Sequence, residues 1–138
     1  MINATKYTKI MILADDMLRD FGNRFVVVAS RAYKGKEDDG ISAGSTFTLQ
    51  VLEDHAAPII DKKTNMPMDN NVYQTFDVTI PGLKYPSGLV KGDIVSLGKF
   101  MPEISYYINY NLILRFGEIK KIQKTQSASA SGGNPVTR

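Results

Sequence analysis

From residue 24 onward the chain is a succession of short segments in which apolar and polar residues alternate, separated by turn-forming residues. Residues 45–52 place Phe47, Leu49 and Val51 on one face and polar side chains on the other, and residues 72–80 repeat this pattern. That two-residue period is typical of a strand with one buried face. Strands and helices do not alternate, so a parallel sheet is not expected. The sequence predicts a mainly β fold, a small antiparallel barrel or sandwich.

Five predicted strands and three connections follow from the positions of the turn residues. The predicted strands are residues 24–33, 45–52, 72–80, 93–99 and 104–122, the last being one long strand or a bent pair. The connections are residues 34–44, 53–71 and 81–92, rich in Gly, Pro and Asp, with room for a short helical turn in the last. In the first strand we expect Phe25, Val27 and Ala29 to face the core and Arg24 to face solvent.

The two ends of the chain differ from its middle. Helical spacing relates Ile10, Leu13, Ala14, Met17, Leu18 and Phe21, and Gly22-Asn23 provides a helix stop. A strand over residues 9–14 is the competing interpretation. Residues 125–138 (TQSASASGGNPVTR) have too little apolar surface to fold and are predicted to be a disordered tail. The predicted organisation is therefore an N-terminal arm and helix (1–23), a β barrel (24–124) and the tail (125–138).

Composition excludes most chemistry. The chain has no cysteine and a single histidine, His55, which excludes disulfides, thiolate metal sites, cysteine nucleophiles and multi-histidine metal centres. It has no phosphate-binding glycine loop and no Gly-x-Ser-x-Gly pattern. Glu53, Asp54 and His55 are consecutive, and three consecutive residues rarely converge on one ion. We therefore expect a non-enzymatic protein without a metal or cofactor.

Neither a signal peptide nor a membrane-spanning stretch is visible, because the apolar run near the N-terminus covers only residues 10–14. The expected location is the cytoplasm, with no membrane partner.

Positive charge is concentrated in the last third of the chain. The net charge is +3, from 17 basic and 14 acidic residues. Residues 1–95 contain 11 basic and 12 acidic side chains, whereas residues 96–138 contain 6 basic and 2 acidic ones. The end of the first strand adds a similar mixture of cations and an aromatic ring: Arg31, Tyr33, Lys34 and Lys36. Basic residues interleaved with aromatic ones on strands are expected of a groove for single-stranded nucleic acid.

A tyrosine-rich segment coincides with this positive charge. Its even positions are apolar or aromatic and are predicted to face the core: Ile104, Tyr106, Ile108, Tyr110, Leu112, Leu114 and Phe116. Its odd positions carry a ring, two amides and a guanidinium: Ser105, Tyr107, Asn109, Asn111, Ile113 and Arg115. Rings stack on bases, while amides and cations contact base edges and phosphates. Alternatively, the tyrosines pack across strands and the lysines of residues 120–124 protect a sheet edge. Whether Tyr106 and Tyr110 belong to the core or the surface stays open.

One stretch carries a family resemblance. Residues 91–98 (KGDIVSLG) resemble the fourth strand of OB-fold single-stranded-DNA-binding proteins, and the low-complexity tail is also similar to that family. Residues 24–124 most resemble the small OB-fold proteins of conjugative plasmids and phages of Gram-positive bacteria, the PrgE-like proteins. The resemblance implies a five-stranded OB-type barrel that binds and protects single-stranded DNA, tolerates many sequences and acts in conjugation or phage DNA processing. The chain differs from housekeeping members in lacking tryptophan and an acidic tail tip, so recruitment of partners through the tail is not expected.

The predicted partner is single-stranded DNA, with RNA left open, and self-association along DNA is assigned to the N-terminal arm. The predicted nucleic-acid-binding residues are Arg24, Arg31, Tyr33, Lys34, Tyr85, Lys99, Tyr107, Asn109, Tyr110, Asn111, Arg115 and Lys120. The alternative is a protein-interaction or structural module of a phage or conjugation assembly, in which the long loop 54–71 makes the contact.

Overall fold

A computed structural model describes residues 1–2 and 10–123, which contain one α-helix and six strands. The elements are α1 (Ala14–Asp20), β1 (Phe25–Tyr33), β2 (Gly44–Val51), β3 (Thr75–Pro81), β4 (Ile94–Phe100), β5 (Tyr106–Ile108) and β6 (Asn111–Gln123). Two short 3-10 helices lie at Glu37–Asp39 and Pro102–Ile104. The predicted tail and most of the predicted arm lie outside the described residues.

Five of the strands close into a ring. The sheet order is β3-β2-β1-β4-β6-β5, and β3 also pairs with β6. Every pairing is antiparallel except the one between β3 and β6, where Val78 pairs with Leu114 and Thr79 with Arg115. This five-stranded ring is an OB-type barrel. The predicted fold class is therefore confirmed, and β5 is a sixth strand added outside the ring.

The core fills the ring. Its buried members are Phe25, Val27, Phe47, Leu49, Val51, Val78, Ile80, Val95, Leu97, Leu114 and Phe116. The predicted inward row of β2 is confirmed, since Phe47, Leu49 and Val51 are at most 2% exposed. The helix α1 and the residue that follows it cover the core with Met17, Leu18 and Phe21, which are partly buried. Burial of these side chains is the main force that closes the barrel.

A bulge in β1 changes the direction of its side chains. Val27 pairs with Leu49, but Ala29 pairs with Thr48, so Val28 is an extra residue. Beyond it, Ala29 is exposed, and the prediction that Ala29 faces the core is wrong. The same shift puts Arg31 and Tyr33 on the outer face of the barrel.

A hairpin replaces the long final strand. Asn109 and Tyr110 have φ angles of 49° and 66° and form a two-residue turn between β5 and β6. The predicted bent pair is thus the correct alternative, but the uninterrupted core-facing row is wrong. Leu114 and Phe116 are buried, whereas four other members are 40% or more exposed: Tyr106, Ile108, Tyr110 and Leu112. The turn reverses the chain and moves the first half of the row onto an outer strand.

The N-terminal helix is shorter than expected and ends where expected. It begins at Ala14, just before Asp15 and Asp16, whose carboxylates are favoured in the first turn by the helix dipole. Residues 10–13 form neither helix nor strand. At the other end the Asn23 N–H donates to the Leu18 carbonyl over 2.8 Å. The connection 82–93 contains turns and no helical turn.

Asn23 joins the helix to the barrel and provides a stability prediction. Its amide donates to the Leu97 carbonyl and accepts from the Leu97 N–H, both over 2.9 Å, and its φ is 48°. Asn23→Gly keeps the backbone geometry and is expected to lower the free energy of unfolding by about 2 kcal/mol. Asn23→Ala adds backbone strain and is expected to lower it by about 3 kcal/mol. Urea titration followed by circular dichroism measures both values, and equal stability of all three proteins would contradict the prediction.

Candidate nucleic-acid interface

An open groove of about 540 Å³ lies on the outer face of β2 and β3. One wall is the end of β1 and the residues that follow it, 31–36, and the other is the β5–β6 hairpin. We call it the tyrosine groove, because Tyr33 and Tyr106 line its opposite walls. It brings together two tyrosine rings, four cations and one carboxylate.

A row of paired residues forms the floor. The strand register aligns Arg31 with Thr46, Thr46 with Thr79, and Thr79 with Arg115. Directly paired residues point to the same face of a sheet. The hydroxyls of Thr46 and Thr79 lie 2.8 Å apart and form a hydrogen bond. The register therefore gathers side chains from four strands onto one polar surface.

An ion pair occupies the exposed part of the floor. Arg31 Nη2 donates to Asp77 Oδ2 over 3.0 Å, and Thr48 Oγ1 donates to Asp77 Oδ1 over 2.6 Å. The side chains of Arg31 and Asp77 are 56% and 52% exposed. Both groups are consequently accessible to a ligand in the groove.

Arg115 lies beneath the tyrosines. Its residue is only 3% exposed, and its guanidinium carbon is 5.6 Å from the Tyr33 ring centre and 5.9 Å from that of Tyr106. It donates to the Ile104 carbonyl and, over 3.1 Å, to the Tyr33 hydroxyl. Its Nε has no partner, and none of the ion pairs among residues 10–123 includes it. Arg115 lies on the predicted outer face, since it pairs with Thr79, but it is a buried cation that supports both walls and is not exposed to solvent.

Two lysines stand at the rim. Lys34 and Lys36 are exposed, and Lys36 is fixed by reciprocal backbone hydrogen bonds with Ile41 of 2.9 and 3.0 Å. Gly35 between them has φ 85°, and a Cβ there would lie 2.7 Å from the backbone nitrogen of Ala43. Only glycine fits this turn. The loop after β1 thus presents its cations from a defined backbone.

Some predicted site residues lie in or beside the tyrosine groove. Arg31, Tyr33, Lys34 and Arg115 line it. Four predicted residues are exposed on the hairpin that forms one wall but do not line the groove: Tyr107, Asn109, Tyr110 and Asn111. The rings of Tyr107 and Tyr110 are 6.5 Å apart and perpendicular.

Other predicted site residues do not line the groove. Arg24 pairs with Glu53 at 3.5 Å, and Lys120 pairs with Glu118 at 3.6 Å. Lys99 occupies an irregular position in β4, where its φ is 56°. Tyr85 is 43% exposed in the connection between β3 and β4. The sequence predicts these four as site residues from their charge, aromatic type and position along the chain, none of which reveals where they lie in the fold.

Sequence reasoning missed several groove residues: Thr46, Asp77, Thr79 and Tyr106 in its role as a wall. Their only sequence signal was the polar face of two alternating strands. That signal does not reveal which strands become neighbours.

The acidic segment at the start of the long loop serves a structural purpose. His55 Nε2 lies 3.1 Å from Glu53 Oε1, while Asp54 accepts hydrogen bonds from the backbone N–H groups of Asn71 and Ala56, each over 3.0 Å. The hydrogen bonds from Asn71 and Ala56 hold the pKa of Asp54 below its usual range. Within the described part of the chain, no group of three or more His, Asp or Glu side chains is arranged to hold a metal ion.

None of the helices formed by residues 10–123 is long and apolar enough to span a membrane. Comparison with protein-family models, with curated proteins and with solved structures returned no match.

Proposed function

We propose that the protein binds single-stranded nucleic acid, with single-stranded DNA as the expected ligand, and performs no catalysis. The observation that carries this proposal is the tyrosine groove, which combines two rings and four cations with the hydroxyls of a polar floor. Bases stack on Tyr33 and Tyr106, while Lys34 and Lys36 at the rim contact phosphates. Stacking accepts every base, so binding tolerates many sequences.

The position of the groove supports this function. In OB-type barrels the face of the second and third strands, together with the loops after the first and fourth strands, binds oligonucleotides or oligosaccharides. The tyrosine groove occupies that face here, between the loop after β1 and the hairpin after β4. Its excess of cations favours a polyanion over a neutral saccharide. Protection of single-stranded DNA in conjugation or phage DNA processing is the corresponding cellular role that we propose.

A salt series tests the proposal. Fluorescence anisotropy with a labelled oligothymidine should show affinity falling with salt, with a log–log slope of about −0.7 per phosphate contacted. Two exposed groove lysines, Lys34 and Lys36, give an expected slope of about −1.4, since Arg31 is already paired with Asp77. The double variant Lys34→Gln/Lys36→Gln should bring the slope close to zero. Binding that ignores salt, or that is equally tight for duplex DNA, would reject the proposal.

Two cations outside the groove provide the matched control. Arg24→Gln and Lys120→Gln also remove two positive charges, but both residues are already paired with carboxylates. We expect this double variant to keep the slope of the unaltered protein. An equal loss in both double variants would show that net charge, and not the groove, determines binding.

A protein-interaction module is the second candidate function. The long loop exposes four apolar residues, Ile59, Ile60, Met66 and Met68, each at least 49% exposed. Such a surface is typical of a protein contact. Absence of nucleic-acid binding, together with a discrete closed oligomer in light scattering, would favour this candidate. Self-association through the N-terminal arm stays a prediction, since residues 3–9 lie outside the described part.

A further inference from the structure

Asp77 is the one carboxylate among the described residues that line the tyrosine groove. A negative charge repels phosphates, so its presence on the floor does not serve the backbone of a nucleic acid. It faces the ligand space, because its side chain is 52% exposed. Arg31 balances the charge of Asp77, and the exposed part of the carboxylate is open to a hydrogen-bond donor of the ligand other than its phosphates.

The ion pair offers an acceptor beside a donor. Arg31 and Thr48 each occupy one lone pair of the Asp77 carboxylate, one on each oxygen. Each oxygen keeps a further acceptor site, and the Arg31 guanidinium keeps further donors. Tyr33 lies two residues beyond Arg31 on the same face of β1, about 7 Å along the strand. A base stacked at Tyr33 would extend its edge toward this pair.

We propose that the Arg31–Asp77 pair reads the edge of one base and gives the groove a preference for guanine. The inference rests on the proposed function and adds a base preference to it. Guanine presents the O6 acceptor next to the N1–H and N2–H donors, which match the guanidinium and the carboxylate in that order. Thymine presents two acceptors around a single N–H, so a carboxylate meets at most one donor.

Single substitutions in an oligothymidine test the preference. Strands of about twelve nucleotides, all thymine or with one central guanine, inosine, adenine or cytosine, are compared by anisotropy at one salt concentration. Since a good bidentate contact discriminates by 1–3 kcal/mol, we expect guanine to bind about five- to tenfold more tightly than thymine at this exposed site. Inosine lacks the N2 amino group and should lose most of that gain.

Variants test whether the guanine preference depends on the Arg31–Asp77 pair. Asp77→Asn and Arg31→Gln should each bring the guanine-to-thymine affinity ratio close to one. Glu53→Gln breaks the comparable Arg24–Glu53 ion pair outside the groove and should keep the ratio of the unaltered protein. Thermal melting by circular dichroism verifies that each variant is folded, and the guanine–inosine comparison needs no variant.

Each outcome is decisive. Equal affinity for all strands would overturn the guanine preference and leave single-strand binding intact. A preference that persists in Asp77→Asn would also overturn the inference, because another group would then be reading the base. Failure of every strand to bind would reject the proposed function itself.

Discussion

Replacing Tyr33 with alanine is expected to weaken binding of single-stranded DNA by about 10- to 100-fold, measured by anisotropy with oligothymidine. Tyr33 is the wall residue on β1, and loss of a stacked base is worth about 1–3 kcal/mol. Tyr33→Phe keeps the ring and removes only the hydroxyl that accepts from Arg115. We expect this variant to retain affinity within about threefold of the unaltered protein.

Tyr85→Ala is the control, because it removes an exposed tyrosine ring that lies outside the groove. Tyr85 is also exposed, at 43%, but it does not line the groove. Tyr85→Ala should leave the affinity unchanged. If it weakens binding as much as Tyr33→Ala, the ligand lies elsewhere and the tyrosine groove is not the site.

Strand positions follow from the sequence because burial of one face imposes a two-residue period. Phe47, Leu49 and Val51 are predictable in this way, and so is the stop at Asn23. The parallel pairing of β3 with β6 is not predictable in this way, since the aligned residues Thr79 and Arg115 lie 36 residues apart along the chain. Alternation defines the face of a strand and says nothing about its neighbour.

Local irregularities determine the candidate site. Without the extra residue Val28, Arg31 and Tyr33 would continue the inward parity of Phe25 and Val27. The bulge turns them outward, where they become a floor and a wall of the groove. A bulge of this kind has no characteristic residue type. The three valines of residues 26–28 therefore do not show which of them is the extra residue, or that there is one.

The hairpin between β5 and β6 determines the other wall of the groove. Two residues with positive φ, Asn109 and Tyr110, reverse the chain and bring Tyr106 opposite Ile113. Asparagine is common in such two-residue hairpin turns, but tyrosine is not. Only the first turn residue therefore indicates a hairpin in the sequence. In the sequence, the even positions of residues 104–116 form one continuous apolar row, because the outer strand β5 is also apolar.

Arg115 is the least predictable site residue, because a cation in an alternating strand is normally assigned to solvent. Its burial requires the Tyr33 ring from β1 and, from a distant part of the chain, the Tyr106 ring and the Ile104 carbonyl. Replacing it with alanine is expected to lower the free energy of unfolding by about 3–5 kcal/mol, through the cavity and the orphaned carbonyl. Urea titration provides the measurement, and a variant as stable as the unaltered protein would contradict the buried position.

Arg115→Met tests the effect of the positive charge on binding while keeping most of the packing that stabilises the fold. An unbranched apolar side chain fills much of the same space, and exchange of a buried charged group for an apolar one is often tolerated. We expect a loss of only about 1–2 kcal/mol, mainly from the Ile104 carbonyl. The groove would keep its shape but lose one positive charge beneath both rings, so affinity for oligothymidine should fall about tenfold. A folded Arg115→Met protein that binds as tightly as the unaltered one would restrict Arg115 to a structural role.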